Sequence, residues 1–244
     1  MAMTVENLFA IKKKEFRPLL LLVLHSFCNG ATLALFDTVA NTLFLSKFGE
    51  SKLPYAFMSS AVVLFVLGTI YSRLQEKTRP KVLFIGTTVF VALCMIGFYF
   101  ALSNSESSVL VFALMVFKTA GYALIGVEFW AVAAIIFNIR QSKRLVGLVG
   151  TGEILAEMAM GLLIPFAILW TGSLNILLLL AGLFMAISVF SLIYIIRISP
   201  QKFMAPDPNE EEIEEGSLDS PNLDKNNVLA TVSNSASVAP LQKE

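Results

Sequence analysis

The stretch Val109–Phe137, VLVFALMVFKTAGYALIGVEFWAVAAIIF, holds two charged side chains, Lys118 and Glu128, in an otherwise apolar run. Crossing the hydrocarbon core of a bilayer takes about 20 mainly apolar residues. Placing an ionised group at its centre costs about 2.5–3.5 kcal/mol on insertion scales. The stretch therefore reads as a membrane helix that keeps two charges for a reason. Working outward, five further runs meet the same length and composition: Pro18 to about Leu45, Pro54–Tyr71, Val82–Leu102, Leu145–Trp170 and Leu174–Ile198.

The whole chain agrees with this. Its 244 residues are 56% hydrophobic and 15% charged, and the mean hydropathy is +0.74. Soluble domains carry about 25% charged residues, so an ordinary soluble enzyme is excluded. The expected architecture is all-α: a polytopic bundle over 18–198, preceded by a cytoplasmic segment 1–17. After Pro200 come Pro206, Pro208, a run through Glu210, Glu211, Glu212, Glu214 and Glu215, and a Ser/Asn/Asp-rich end. Segment 199–244 is therefore expected to be an acidic, disordered cytoplasmic tail. The net charge is zero, which gives no reason to expect nucleic acid as a partner.

Lys12, Lys13 and Lys14 before Leu19–Leu24 imitate a signal peptide. No small-residue cleavage site follows and the apolar run continues, so a retained first helix is expected. Orientation follows from the basic residues between spans. Thirteen lie before span one, between spans two and three (Arg73, Lys77, Arg79, Lys81), between spans four and five (Arg140, Lys143, Arg144), and after span six. The other three connections hold only Lys47 and Lys52. Both termini are expected in the cytoplasm, in a bacterial inner membrane.

Five charges stand inside spans: Asp37, Lys118, Glu128, Glu153 and Glu157. With about 1.5 Å of rise per residue, Asp37 and Lys118 fall at one depth and are expected to form an ion pair. Glu128 and Glu153 share another depth, and Glu153 and Glu157 share a helix face by their four-residue spacing. Helices one, four and five are thus expected to face a polar interior, and three and six to face mainly lipid. Two uses fit these residues: a solute or proton pathway, or a structural pair with neutralised glutamates.

His25 lies one turn from Asn29. A hydrogen bond to a neighbouring helix is the first reading and a proton shuttle the second. Gly147, Gly150 and Gly152 lack a phosphate-loop pattern, so Gly152, Ala156 and Ala159 are expected to let helix five pack closely. Pro165 is expected to bend that helix. No metal cluster, nucleophile–base pair or cofactor fingerprint is visible, so neither an enzyme nor a cofactor is expected.

Three motifs carry a resemblance. Asn41-Thr-Leu-Phe-Leu-Ser-Lys-Phe-Gly49 is followed by Leu53-Pro54-Tyr55; Phe129-Trp130 is the second; Arg140-Gln-Ser-Lys143-Arg144-Leu145, running on to Gly147, Gly150 and Gly152, is the third. Together with six spans, cytoplasmic termini, ionisable residues concentrated in spans one, four and five, and the basic loop Tyr71–Lys81, they resemble one six-helix half of a major facilitator superfamily transporter. Within it, residues 17–198 are similar to the bacterial and plastid ATP/ADP-translocase-like branch. The resemblance implies a carrier built from two three-helix repeats, working by alternating access, with nucleotide antiport as the branch's best-known activity. Nucleotide-exchanging members have a lysine late in helix one and a glutamate in helix four. Those positions fall near Ala40 and at Lys118 here, so that specificity does not carry over directly.

The expectation is a half-size carrier in the lipid bilayer, acting with a second six-helix half from a homodimer or a separate chain. Lys118 would hold an anionic or nucleotide-like solute, with Asp37 as its resting partner and Tyr122, Asn41 and Asn29 nearby. Glu128, Glu153 and Glu157 would serve coupling or gating. The alternative is a non-transporting scaffold or regulatory domain whose tail recruits a partner.

Overall fold

The computed structural model describes residues 13–105, 107–137 and 139–200. The acidic tail and most of the N-terminal segment lie outside the described residues. Six helices follow in order: α1 (Lys13–Phe48), α2 (Leu53–Lys77), α3 (Pro80–Asn104), α4 (Ser108–Ile136), α5 (Ile139–Thr171) and α6 (Ile176–Ile198). A single 3-10 turn, Glu50–Lys52, joins α1 to α2. All six helices are long and apolar enough to cross a membrane, and no strand occurs among the described residues. At 36 residues, α1 is about 54 Å long. That exceeds a hydrocarbon core of about 30 Å, so α1 extends beyond it.

The sequence punctuates these helices where elementary chemistry requires. Pro54 and Pro80 sit in the first turns of α2 and α3, where a missing N–H leaves no bond unmade. Ser107 caps α4 by accepting from the Val109 N–H at 3.3 Å. Gly49 and Gly172 end α1 and α5 with φ of 69° and 65°, the left-handed conformation that residues with a Cβ resist. Their N–H groups donate to the carbonyls of Leu45 and Ile168 at 3.0 and 2.8 Å.

Helix ends differ from expectation in two places. α2 continues past Tyr71 to Lys77, and α5 already begins at Ile139. Arg73 and Lys77 therefore lie on the last turns of α2, and Arg140, Lys143 and Arg144 on the first turns of α5, rather than in loops. Arg79 is the N-cap position of α3. Arginine, lysine, glutamine and glutamate are good helix formers, so the helices run on through polar sequence that hydropathy assigns to connections.

α1 is the centre of the bundle and packs against α4, α5 and α6; α3 packs on α6 and α4, and α2 on α4. Phe36 and Phe44 of α1, Leu114 and Met115 of α4, Met95 of α3, and Leu177, Leu178 and Met185 of α6 are all under 2% exposed. α1 and α5 approach especially closely. A Cβ built on Gly152 would lie 2.5 Å from the Val23 carbonyl oxygen and 2.9 Å from Ser26 Cβ. One built on Gly30 would lie 2.8 Å from Glu153 Cα. Two glycines, one on each helix, thus set this contact, with Ala156 fully buried beside them. The helical run of α5 continues through Pro165.

Lipid exposure is distributed differently from expectation. The apolar windows of α3 and α6 are 39% and 44% buried, whereas those of α2 and α5 are only 11% and 17% buried. α3 and α6 are covered because they pack on each other and on the central helices. α2 and α5 flank the bundle and leave large apolar side chains uncovered, among them Phe65 and Met58 on α2 and Leu162 and Phe166 on α5.

Candidate functional site

Two polar centres stand in this apolar body, and α1 and α4 contribute to both. The first lies between α1, α4 and α5. Lys118 of α4 extends its ammonium group to Asp37 of α1, with Nζ 2.7 Å from Oδ1. It also donates to Asn41 Oδ1 at 2.9 Å. Asn41, one turn beyond Asp37 on α1, donates its amide hydrogen to Asp37 Oδ2 at 2.8 Å. The amide thus accepts from the cation and donates to the anion, closing a three-membered polar ring.

The local sequence explains the ring. The four-residue interval puts Asp37 and Asn41 on one face of α1, and the α1–α4 packing brings that face to Lys118. The lysine side chain is 19% exposed and the aspartate 55%, so the pair is held by the bundle and opens on its carboxylate side.

It opens into a cavity of about 520 Å³ lined by Asp37, Thr38, Lys118, Tyr122, Glu157 and Gly161, among others. Tyr122 shares the Lys118 face one turn away, and Glu157 enters from α5. Ligand sites of this type combine an apolar wall with a few convergent polar groups. Here the polar set is one fixed cation, two carboxylates and hydroxyls from Thr38 and Tyr122. Such a set can hold an anionic group on Lys118 when Asp37 is displaced from it.

The second centre is fully enclosed. His25 of α1, Glu128 of α4 and Ser188 of α6 are each at most 1% exposed, and Asn29 of α1 is 4% exposed. His25 Nδ1 lies 2.8 Å from Ser188 Oγ and 3.2 Å from the Ser188 carbonyl oxygen. Ser188 Oγ donates to Asn29 Oδ1 at 2.7 Å. On the other side of the ring, Nε2 lies 3.3 Å from Glu128 Oε2 and 3.4 Å from Asn29 Nδ2. Phe129 stacks on the imidazole with centroids 6.0 Å apart.

The structure thus groups the expected site residues in its own way. Lys118, Asp37, Asn41, Tyr122 and Glu157 meet around one cavity. Asn29 is not among them, because it faces the His25 side of α1. Glu128 does not meet Glu153, since its carboxylate is taken by His25. Glu153 is positioned by its main chain, whose N–H donates to Ser26 Oγ at 3.1 Å. Sequence reasoning missed Ser188 and Gly30. A lone serine inside an apolar span was the available signal for the first, because such hydroxyls commonly bond across helices in membranes. For Gly30 no pattern on α1 itself pointed to the contact. Among the described residues no cluster of three or more His, Cys, Asp or Glu could hold a metal ion.

No family model, no curated protein and no solved structure matches this chain. Six long apolar helices fit one half of a membrane transporter and place the chain among multi-pass membrane proteins.

Proposed function

We propose that these six helices form one half of a membrane solute carrier of the major facilitator type and that Lys118 is the primary contact for an anionic solute. The observation that carries this reading is the Lys118–Asp37–Asn41 ring on the wall of a 520 Å³ cavity. A purely structural ion pair has no need of a ligand-sized space on its carboxylate side. In a carrier, an arriving anion competes with Asp37 for the lysine, and the freed carboxylate changes what α1 and α4 hold in common. Alternating access then proceeds by rocking against a second six-helix half, to which the uncovered faces of α2 and α5 belong. A nucleotide-like anion is the solute suggested by the sequence resemblance.

The experiment is thermal unfolding of the purified protein in detergent across nucleotides and smaller anions. A ligand at 100 times its Kd adds about 2.7 kcal/mol of stability. Stabilisation by one class of anion, lost in Lys118→Ala, supports the proposal; stabilisation that persists in Lys118→Ala contradicts it.

A further inference from the structure

The buried centre around His25 has a hydrogen inventory that can be worked out atom by atom. The Ser188 carbonyl oxygen can only accept, so a hydrogen on Nδ1 is what makes the 3.2 Å contact between them a bond. That hydrogen is shared with Ser188 Oγ at 2.8 Å, which is free to accept because its own hydrogen goes to Asn29 Oδ1. With Asn29 Oδ1 so occupied, its amide hydrogens point toward Nε2. In a neutral imidazole Nε2 therefore bears the lone pair, and it faces Glu128 Oε2 at 3.3 Å. A lone pair and a carboxylate oxygen cannot face each other stably in an enclosed apolar site. One hydrogen must lie between them.

Two arrangements supply it: imidazolium with carboxylate, or imidazole with carboxylic acid. One observation favours the second. Glu128 Oε1 is buried with no hydrogen-bond partner among the described residues, a large desolvation cost for an ionised carboxylate and a small one for a neutral acid. The partnerless burial of Oε1 thus points to Glu128 as an acid that donates from Oε2 to His25 Nε2.

α2 brings Tyr71 toward this pair. The Tyr71 hydroxyl is buried, with the Thr87 side chain as its hydrogen-bond partner, and it lies within electrostatic reach of Glu128. Tyr71 lines a separate cleft of about 460 Å³ between α2, α3 and α4. From α5, Glu153 and Glu157 border α1, the former through its main chain at Ser26. α6 brings Ser188 and, further along, the exposed Tyr194 and Arg197. The interior of α3 carries no charge.

We propose that His25 and Glu128 form a proton-binding site that is loaded while α1 and α4 are in contact and unloaded when they part. Its role as the coupling site rests on the carrier reading above; its occupancy by a proton does not. The pair lies 12 residues from Asp37 on α1 and 10 from Lys118 on α4, or about 18 and 15 Å along each helix. The same two helices are therefore clasped twice, once by a solute-sensitive ion pair and once by a proton-dependent hydrogen bond. Loading takes one proton from water and forms the O–H bond at Glu128 Oε2. Unloading breaks that bond, returns the proton to water and leaves a carboxylate and a neutral imidazole, with no electrons transferred.

The test is pH-difference infrared spectroscopy of the full chain in detergent with no solute present, together with dye-based proton counting. A protonated-carboxyl band at neutral pH is expected. It should vanish in Glu128→Gln, and an alkaline step should release a proton more from the unaltered protein than from that variant. Ser188→Ala, which removes the hydroxyl at Nδ1, should shift the band, and it serves if Glu128→Gln fails to fold. Absence of the band, or a band indifferent to both variants, overturns the site. In vesicles, solute uptake unaffected by a pH gradient overturns its coupling role, while the carrier reading stands. Failure of all solute uptake with the band retained removes the carrier reading and keeps the proton site.

Discussion

Lys118 and Asp37 sit on different helices: the 2.7 Å Nζ–Oδ1 contact ties α4 to α1 within an apolar bundle, and Asn41 bridges both ends of it.

 The two residues are 81 positions apart in the sequence. A contact spanning that distance in the chain fixes the register of the two helices that also carry the buried histidine centre.

The energy of this contact is modest, because Asp37 is more than half exposed and exposed pairs contribute about 0.2–1 kcal/mol. A double-mutant cycle of Asp37→Asn and Lys118→Met, read by thermal unfolding in detergent, should give a coupling energy of about 1 kcal/mol. Zero coupling would mean that the two groups do not act together. Solute stabilisation should be lost in Lys118→Met and kept, or strengthened, in Asp37→Asn, since the aspartate competes with the anion.

The α1–α5 contact depends on two hydrogens in place of side chains. Gly152→Leu and Gly30→Val should each destabilise the bundle by about 1–3 kcal/mol through overpacking, because a Cβ at either site meets main-chain atoms at 2.5–2.8 Å. Gly150→Ala, whose Cβ would meet nothing within 4 Å, should be neutral or slightly stabilising by helix propensity. Unfolding curves of the three variants check this, and equal effects would contradict the close approach.

The faces of α2 and α5 are the uncovered ones. If a second copy completes the cavity, cysteines at Phe65 and Leu162 should give cross-linked dimers in native membranes. Cysteines at Leu93 on α3 and Phe190 on α6, also exposed, should not. Dimers forming equally from all four positions would indicate random collision, and none from α2 and α5 would exclude the homodimer.

Much of the fold was legible because bilayer crossing leaves a coarse, one-dimensional signature. Apolar runs of the necessary length located all six helices to within six residues at each end, and the constant rise of a helix made depth a matter of counting, which brought Asp37 and Lys118 together. Helix ends were less legible, since Arg73, Lys77 and Arg140 favour helix and water alike. Rotation of a helix about its axis is not a matter of counting. Glu128 shares a depth with Glu153 but turns to His25, and only the packed bundle shows that α6 supplies Ser188 to complete the centre. Likewise, the burial of α3 and α6 follows from which helices they pack on, which charge content alone does not encode.

The central claim is that Lys118 holds an anionic solute during transport. The most direct measurement is uptake of a radiolabelled anion, selected as the stabilising ligand, into vesicles reconstituted with the full chain, comparing the unaltered protein with Lys118→Ala and Lys118→Arg. The account predicts saturable uptake that is abolished by alanine and partly retained by arginine. Uptake at the unaltered rate in Lys118→Ala would contradict it.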